Sequence, residues 1–146
     1  YSDIDNSGWW MIPKEISKNG KPHRVFLSPQ AQEIIALAKD LLPQSDWVFP
    51  SPRTDKPFLG SSIDHALRKT GVQKILKEDF TPHDLRRTAS SLMTSLGIPR
   101  LTVSKILNHS ETGVTGKHYD CYGYDKEKKD ALTTWGVEVK NFCGEK

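Results

Sequence analysis

The chain has 146 residues, 36% of them hydrophobic and 27% charged, a size and balance that suit one compact domain and exclude a disordered tail or a fibre. No apolar run reaches the length of a membrane span, and Tyr1-Ser2-Asp3-Ile4-Asp5 has neither the basic start nor the apolar stretch of a secretory signal, so a soluble, cytoplasmic protein with no membrane partner is expected. The net charge of +3 permits a polyanionic partner without demanding one.

Trp9-Trp10-Met11-Ile12-Pro13 and Arg24-Val25-Phe26-Leu27 read as two strands. Between them lies Ser17-Lys18-Asn19-Gly20-Lys21, in which Asn-Gly signals a two-residue hairpin turn with positive φ at both central positions. Lys18 and Lys21 would flank its tip. Ser28-Pro29 supplies an N-cap and a first-turn proline, and Ile34, Leu37, Ala38, Leu41 and Leu42 recur at helical spacing up to Pro43. Residues 43 to 60 read as a surface loop around a short buried apolar stretch, Trp47-Val48-Phe49. A basic helical stretch follows from about Ser62 to Lys77, bent or broken at Gly71.

Thr81-Pro82 repeats the cap-and-proline signal, with Asp84 in the first turn. The helix it opens carries Leu85, Ala89, Leu92, Met93 and Leu96 on one face and stops near Gly97. A shorter helix runs from about Pro99 to Leu107. A last helix begins near Lys126, with the stripe Leu132, Trp135, Val139 and Phe142; Gly136 weakens it. Cys121 and Cys143 lack C-x-x-C spacing and read as reduced thiols.

The most informative pattern is His83-Asp84-Leu85-Arg86-Arg87-Thr88. At about 100° per residue, Arg86 falls roughly 80° from the centre of the apolar stripe, His83 roughly 140° and Arg87 roughly 180°. Arg86 would therefore sit at the core boundary, partly desolvated, where a guanidinium clamps a phosphate with two parallel hydrogen bonds. His83, one turn earlier, can share that site. Two further pieces are Leu107-Asn108-His109-Ser110, just beyond a helix end, and Tyr119 in Thr115-Gly116-Lys117-His118-Tyr119.

A hairpin lysine, then His-x-x-Arg, then Leu-x-His-Ser, then a tyrosine some ten residues on is an order that resembles the tyrosine recombinases, and in particular the catalytic domain of phage-type integrases. The resemblance runs from Asp3-Ile4-Asp5 through the hairpin and the Ser28-Pro29 helix to the Tyr119 segment. It implies an α+β, mainly α-helical catalytic core with a small antiparallel sheet near the N-terminus, acting in site-specific DNA recombination. It also implies that Tyr119 is the nucleophile on a DNA phosphodiester, giving a 3′-phosphotyrosyl link and a free 5′-hydroxyl. Arg86 would bind non-bridging oxygens, His83 assist proton transfer, and His109 donate to a phosphate oxygen. Lys18 would be the general acid, with Lys21 the other candidate. Asn108 stands where the family commonly has Gly, and Asn tolerates left-handed backbone well.

No metal or cofactor is implied, since fixed cations do a metal's work. The implied partners are double-stranded DNA attachment sites, a homo-tetramer on them and DNA-bending accessory proteins, in a nucleoid-associated setting. The family's first catalytic arginine belongs to a helix upstream of the segment that begins here at Tyr1. A chain that opens on Tyr-Ser-Asp-Ile-Asp is thus expected to be a catalytic domain, residues 1–146, without its first helices and any DNA-binding arm, and a poor catalyst alone. Three alternatives stand beside this. Leu92-Met93, Leu96-Gly97-Ile98, Val103 and Ile106 match a helix-turn-helix regulator whose second helix enters the major groove. Type IB topoisomerases share the chemistry. A metal site from His109, His118 and Cys121 lacks the usual ligand-pair context.

Overall fold

The computed structural model describes residues 1–54, 56–69, 80–109 and 122–144. Two strands, β1 (Trp9–Ile12) and β2 (His23–Phe26), pair antiparallel in the register Trp9↔Phe26 to Ile12↔His23. Five helices follow among the described residues: α1 (Pro29–Leu41), α2 (Gly60–Lys69), α3 (Pro82–Ser95), α4 (Arg100–Ile106) and α5 (Asp125–Phe142). This is the expected α+β, mainly helical class. None of the described helices is long and apolar enough to cross a membrane.

The sheet differs from the tight hairpin expected of Asn19-Gly20. The ladder stops at Ile12↔His23, because Pro13 and Pro22 bracket the connection and neither has an N–H to extend it. Residues 13–22 instead form a folded loop, in which Ser17 N donates to Pro13 O at 3.1 Å and Gly20 N to Ser17 O at 2.9 Å. Gly20 takes a positive φ of 67°, whereas Asn19 does not. Its side chain is thereby available for other work.

Helix α1 starts as its sequence dictates, with Ser28 Oγ accepting from Ala31 N at 3.3 Å and Pro29 at the first position. Its apolar stripe does not enter a core: Ile34, Leu37, Leu41 and Leu42 are exposed, and Gln30, Ala31, Ile35, Ala38 and Lys39 are the half-buried positions. Trp47 and Phe49, expected to be buried, are also exposed. The backbone there is held by paired turns, Ser51 N to Lys56 O and Phe58 N to Phe49 O, both at 2.8 Å, so apolar packing is not what fixes it. Of the basic stretch expected to Lys77, the helix is seen over Gly60–Lys69; residues 70–77 and the bend at Gly71 lie outside the described residues.

The helical core is Met93, Val103, Ile106 and Ala131, with Ala89, Ile98, Leu107, Leu132 and Trp135 packed around it. Thr81 N and Oγ1 both donate to Asp84 Oδ2, at 3.0 and 2.8 Å, which caps α3 and holds the Asp84 carboxyl below its usual range. Gly97, at φ 84°, turns the chain into α4. Leu85 and Leu96, on the expected apolar face of α3, are exposed. On α5 the burial falls on Lys128, Ala131 and Gly136, while Val139 and Phe142 at the end of the expected stripe are exposed.

Helix α5 runs unbroken through Gly136 for a steric reason. A Cβ there would lie 2.7 Å from Ser28 Cβ and 2.6 Å from Ser28 Oγ. The missing side chain lets α5 rest on the start of α1. The sheet joins α5 through charge: Arg24 Nη1 meets Asp125 Oδ2 at 2.6 Å, and the buried Lys128 amine reaches Asp125 Oδ1 at 3.2 Å and Arg24 O at 3.3 Å. Arg24 also lies 4.7 Å over the Trp9 ring, which packs edge-on against Phe26.

Candidate active site

The site is built around the C-terminal end of α4, where a helix leaves carbonyl oxygens without intrahelical partners. Here side chains from distant parts of the chain take them. His23, at the start of β2, donates from Nε2 to Ile106 O at 3.0 Å; a carbonyl only accepts, so Nε2 carries the proton. Arg86, from α3, donates from Nη2 to Leu107 O. Cations at a helix C-terminus are favoured by the helix dipole, and the carbonyls of Val103, Lys105 and Ser104 accept from the N–H groups of Leu107, Asn108 and His109.

Burial lowers the His23 pKa, and the Lys128 and Arg86 charges add to it; the hydrogen bond to Ile106 pulls the other way without reversing the shift. His23 is therefore the neutral Nε2–H tautomer at neutral pH. Arg86 differs from its expected placement. It is exposed rather than half-desolvated at the core edge, and it is held in place by the Leu107 carbonyl. The offset is modest, because α3 turns its Met93 side to the core and leaves its first two turns outside. Arg87 points to solvent as expected, paired to Asp84 at 3.6 Å. Among the described residues no carboxylate pairs with Arg86.

Beyond Leu107 the chain reverses. Asn108 adopts φ 52°, and His109 N donates back to Ser104 O at 3.1 Å. This left-handed position is the one that glycine or asparagine fills at a helix end. The Asn108 side chain then joins the loop after β1: Asn19 Nδ2 donates to Asn108 Oδ1 at 2.7 Å, and Asn108 Nδ2 donates to Ser17 Oγ at 3.1 Å. Lys18, between those two loop residues, is exposed, as are His109 and His83, the latter one turn before Arg86.

Three sequence-distant pieces thus meet at one turn: the Lys18 loop, Arg86 and the Asn108-His109 reversal. His83 shares a helix with Arg86. Tyr119 lies outside the described residues, as do His118 and Cys121 of the weighed metal set; no group of three metal-ligating side chains forms among the described residues. Tyr122, three positions after Tyr119, donates its phenol to Glu127 Oε1 at 3.2 Å, and that carboxylate raises its pKa. Tyr122 packs edge-on against Tyr124, over whose ring Lys105 of α4 sits at 4.9 Å.

The helix-turn-helix pattern has a different meaning here. Thr102, Val103 and Ile106 are buried, and Ser104, Lys105 and Leu107 half-buried, so the apolar positions of that pattern on α4 serve the core, and Arg100 and Leu101 are its exposed residues.

A family model described as Phage integrase family matches residues 1–122, a span that holds the Lys18 loop, His83, Arg86, the Asn108 turn and Tyr119. The chain belongs to the phage integrase family. It is 35% identical over 129 residues to prophage integrase IntZ of Escherichia coli (strain K12), a match that takes in 88% of this chain and 31% of that protein. The chain thus spans about a third of the length of that relative. No solved structure matches it.

Sequence reasoning did not find His23, or the side-chain roles of Ser17 and Asn19. No local pattern marks them, since their partners lie 83 to 91 residues away.

Proposed function

We propose that this chain is the catalytic segment of a site-specific recombinase that cuts and rejoins double-stranded DNA through Tyr119. The observation that carries the reading is the meeting of the Lys18 loop, Arg86 and His109 at the end of α4, on an open face. A phosphate projecting from a duplex is met by such a face and needs no cavity; among the described residues, concave surfaces lie beside Asp5 and Arg24 and along α1.

In the proposed step the Tyr119 phenol oxygen attacks phosphorus as its proton passes to solvent water with the help of His83, a P–O bond to tyrosine forms, and the bond to the 5′-oxygen breaks. Lys18 gives that oxygen its proton, so the products are a 3′-phosphotyrosyl link and a 5′-hydroxyl. Arg86, already fixed by Leu107 O, offers its remaining N–H groups to the non-bridging oxygens as negative charge builds there. His109 donates to the same phosphate and His83 assists proton transfer. Because the tyrosyl ester keeps the energy of the phosphodiester, a new 5′-hydroxyl can reverse the step without ATP. No metal is required. The Tyr122 phenol is tied to the Glu127 carboxylate, which disfavours its ionisation.

The proposal includes a second guanidinium on the phosphate, supplied by the polypeptide that carries these residues and worth on the order of 10²-fold or more in rate. These 146 residues by themselves would then be a poor catalyst. It also includes a tetramer on paired attachment sites, DNA-bending accessory proteins and a cytoplasmic, nucleoid-associated setting.

The test is covalent capture. The natural polypeptide carrying this chain, mixed with a nicked suicide duplex of its attachment site, should yield a protein–DNA adduct that Tyr119→Phe abolishes. An adduct that survives in the variant would move the nucleophile to Tyr122 or Tyr124 and overturn the assignment.

A further inference from the structure

The loop after β1 is fastened to the Asn108 turn by a closed ring of three side chains. Ser17 Oγ donates to Asn19 Oδ1 at 3.0 Å, Asn19 Nδ2 to Asn108 Oδ1 at 2.7 Å, and Asn108 Nδ2 to Ser17 Oγ at 3.1 Å. Each group donates once and accepts once in the same sense around the ring, the arrangement in which hydrogen bonds polarise and strengthen one another. Asn19 Oδ1 also accepts from Lys21 N at 3.1 Å. The amide therefore holds the Ser17 hydroxyl before Lys18 and the Lys21 backbone after Gly20.

The backbone at Asn108 asks only for a residue that tolerates φ 52°, and glycine does that at least as well. What asparagine adds is an amide that reaches across 89 and 91 residues of sequence. Ser17 and Asn19 flank Lys18 directly, while Asn108 is bonded to His109. The ring thus ties together the backbone segments that carry Lys18 and His109, two of the groups assigned above to the phosphate.

We propose that Ser17, Asn19 and Asn108 form a clasp that positions Lys18 beside the His109 turn, ready for the departing 5′-oxygen. None of the three touches the reacting atoms; they are positioning residues. The inference rests on the reading of Lys18 as general acid.

The experiment compares two suicide duplexes, one normal and one with sulfur in place of the bridging 5′-oxygen. A thiolate leaves without needing a proton, so the sulfur duplex bypasses the general acid. In the natural polypeptide, Asn108→Gly and Ser17→Ala should each slow adduct formation on the oxygen duplex by about tenfold to a hundredfold, as misplacing a reacting group does. On the sulfur duplex the loss should be about twofold or less. The double variant should lose no more than either single one, because both break one ring. Trypsin, which cuts after Lys18 but not at the Lys21–Pro22 bond, should nick the folded variants at Lys18 about tenfold faster than the parent as the loop opens more often.

Equal losses on both duplexes, or none on either, would overturn the clasp, as would unchanged trypsin cleavage. A parent that forms no adduct on either duplex would instead overturn the recombinase reading and Lys18's role with it. The trypsin comparison reads the hold on the loop independently of that outcome, and Ser17→Ala serves should Asn108→Gly fail to fold.

Discussion

His23 is a residue whose contribution depends on its staying neutral. Its pKa lies below the ordinary 6.5 in the folded protein, so the unfolded chain binds a proton where the folded one does not. Stability from this group is present above the unfolded value and is lost as pH falls through the folded one. The urea midpoint should therefore drop between about pH 7 and about pH 5, beyond the change seen in His23→Gln, which keeps an N–H for Ile106 O but cannot titrate. An identical pH profile in the variant would remove His23 from the account. At this scale the sequence was legible where a residue acts alone and silent where it acts through a distant partner. Arg86 and His109 stand in readable local patterns; Asn19 looked like a turn former because its amide's partner is another loop.

Gly136 shows the same limit for an element. Read along the helix, a glycine in its middle weakens α5, and alanine would gain about 1 kcal/mol from propensity. The contact with Ser28 reverses the sign. Gly136→Ala would press a methyl against a buried N-cap whose Cβ is 2.7 Å away and cannot rotate aside, and should cost about 1–3 kcal/mol in urea unfolding. A gain would mean that α5 can slide off α1 without loss. The ends of α1 and α3 were readable because Ser28-Pro29 and Thr81-Pro82-His83-Asp84 act locally. The sheet connection was not, because two prolines overrode the strongest turn dipeptide. The stripes of α1 and α3 were found at the right spacing, yet which part of a stripe is covered depends on the neighbours: Met93 is buried and Leu37 is exposed.

At the scale of the molecule the described residues form two packed regions, an aromatic sheet corner and a small helical core, with salt bridges and hydrogen bonds between them. The net charge of +3 says little about where a phosphate would go. The placement of Arg86, His109 and Lys18 around one helix end says more, and it required the fold to be seen.

The ties that make this site also decide when it comes into being. The turn between α3 and α4 and the pairing of β1 with β2 join neighbours in sequence, so each forms early at small entropic cost. The bonds from His23, Asn19 and Arg24 span 83, 89 and 101 residues, and they appear only when the two halves dock. Docking should also be the first thing lost. As urea rises, adduct formation is expected to fail before helical ellipticity does, leaving a population with its helices in place and nothing to hold a phosphate. Coincident curves would mean that the halves never part without unfolding. Where they do part, each unfolding excursion of the sheet takes Lys18 away from the Asn108-His109 turn, a resting condition of the proposed site reached without dismantling a helix.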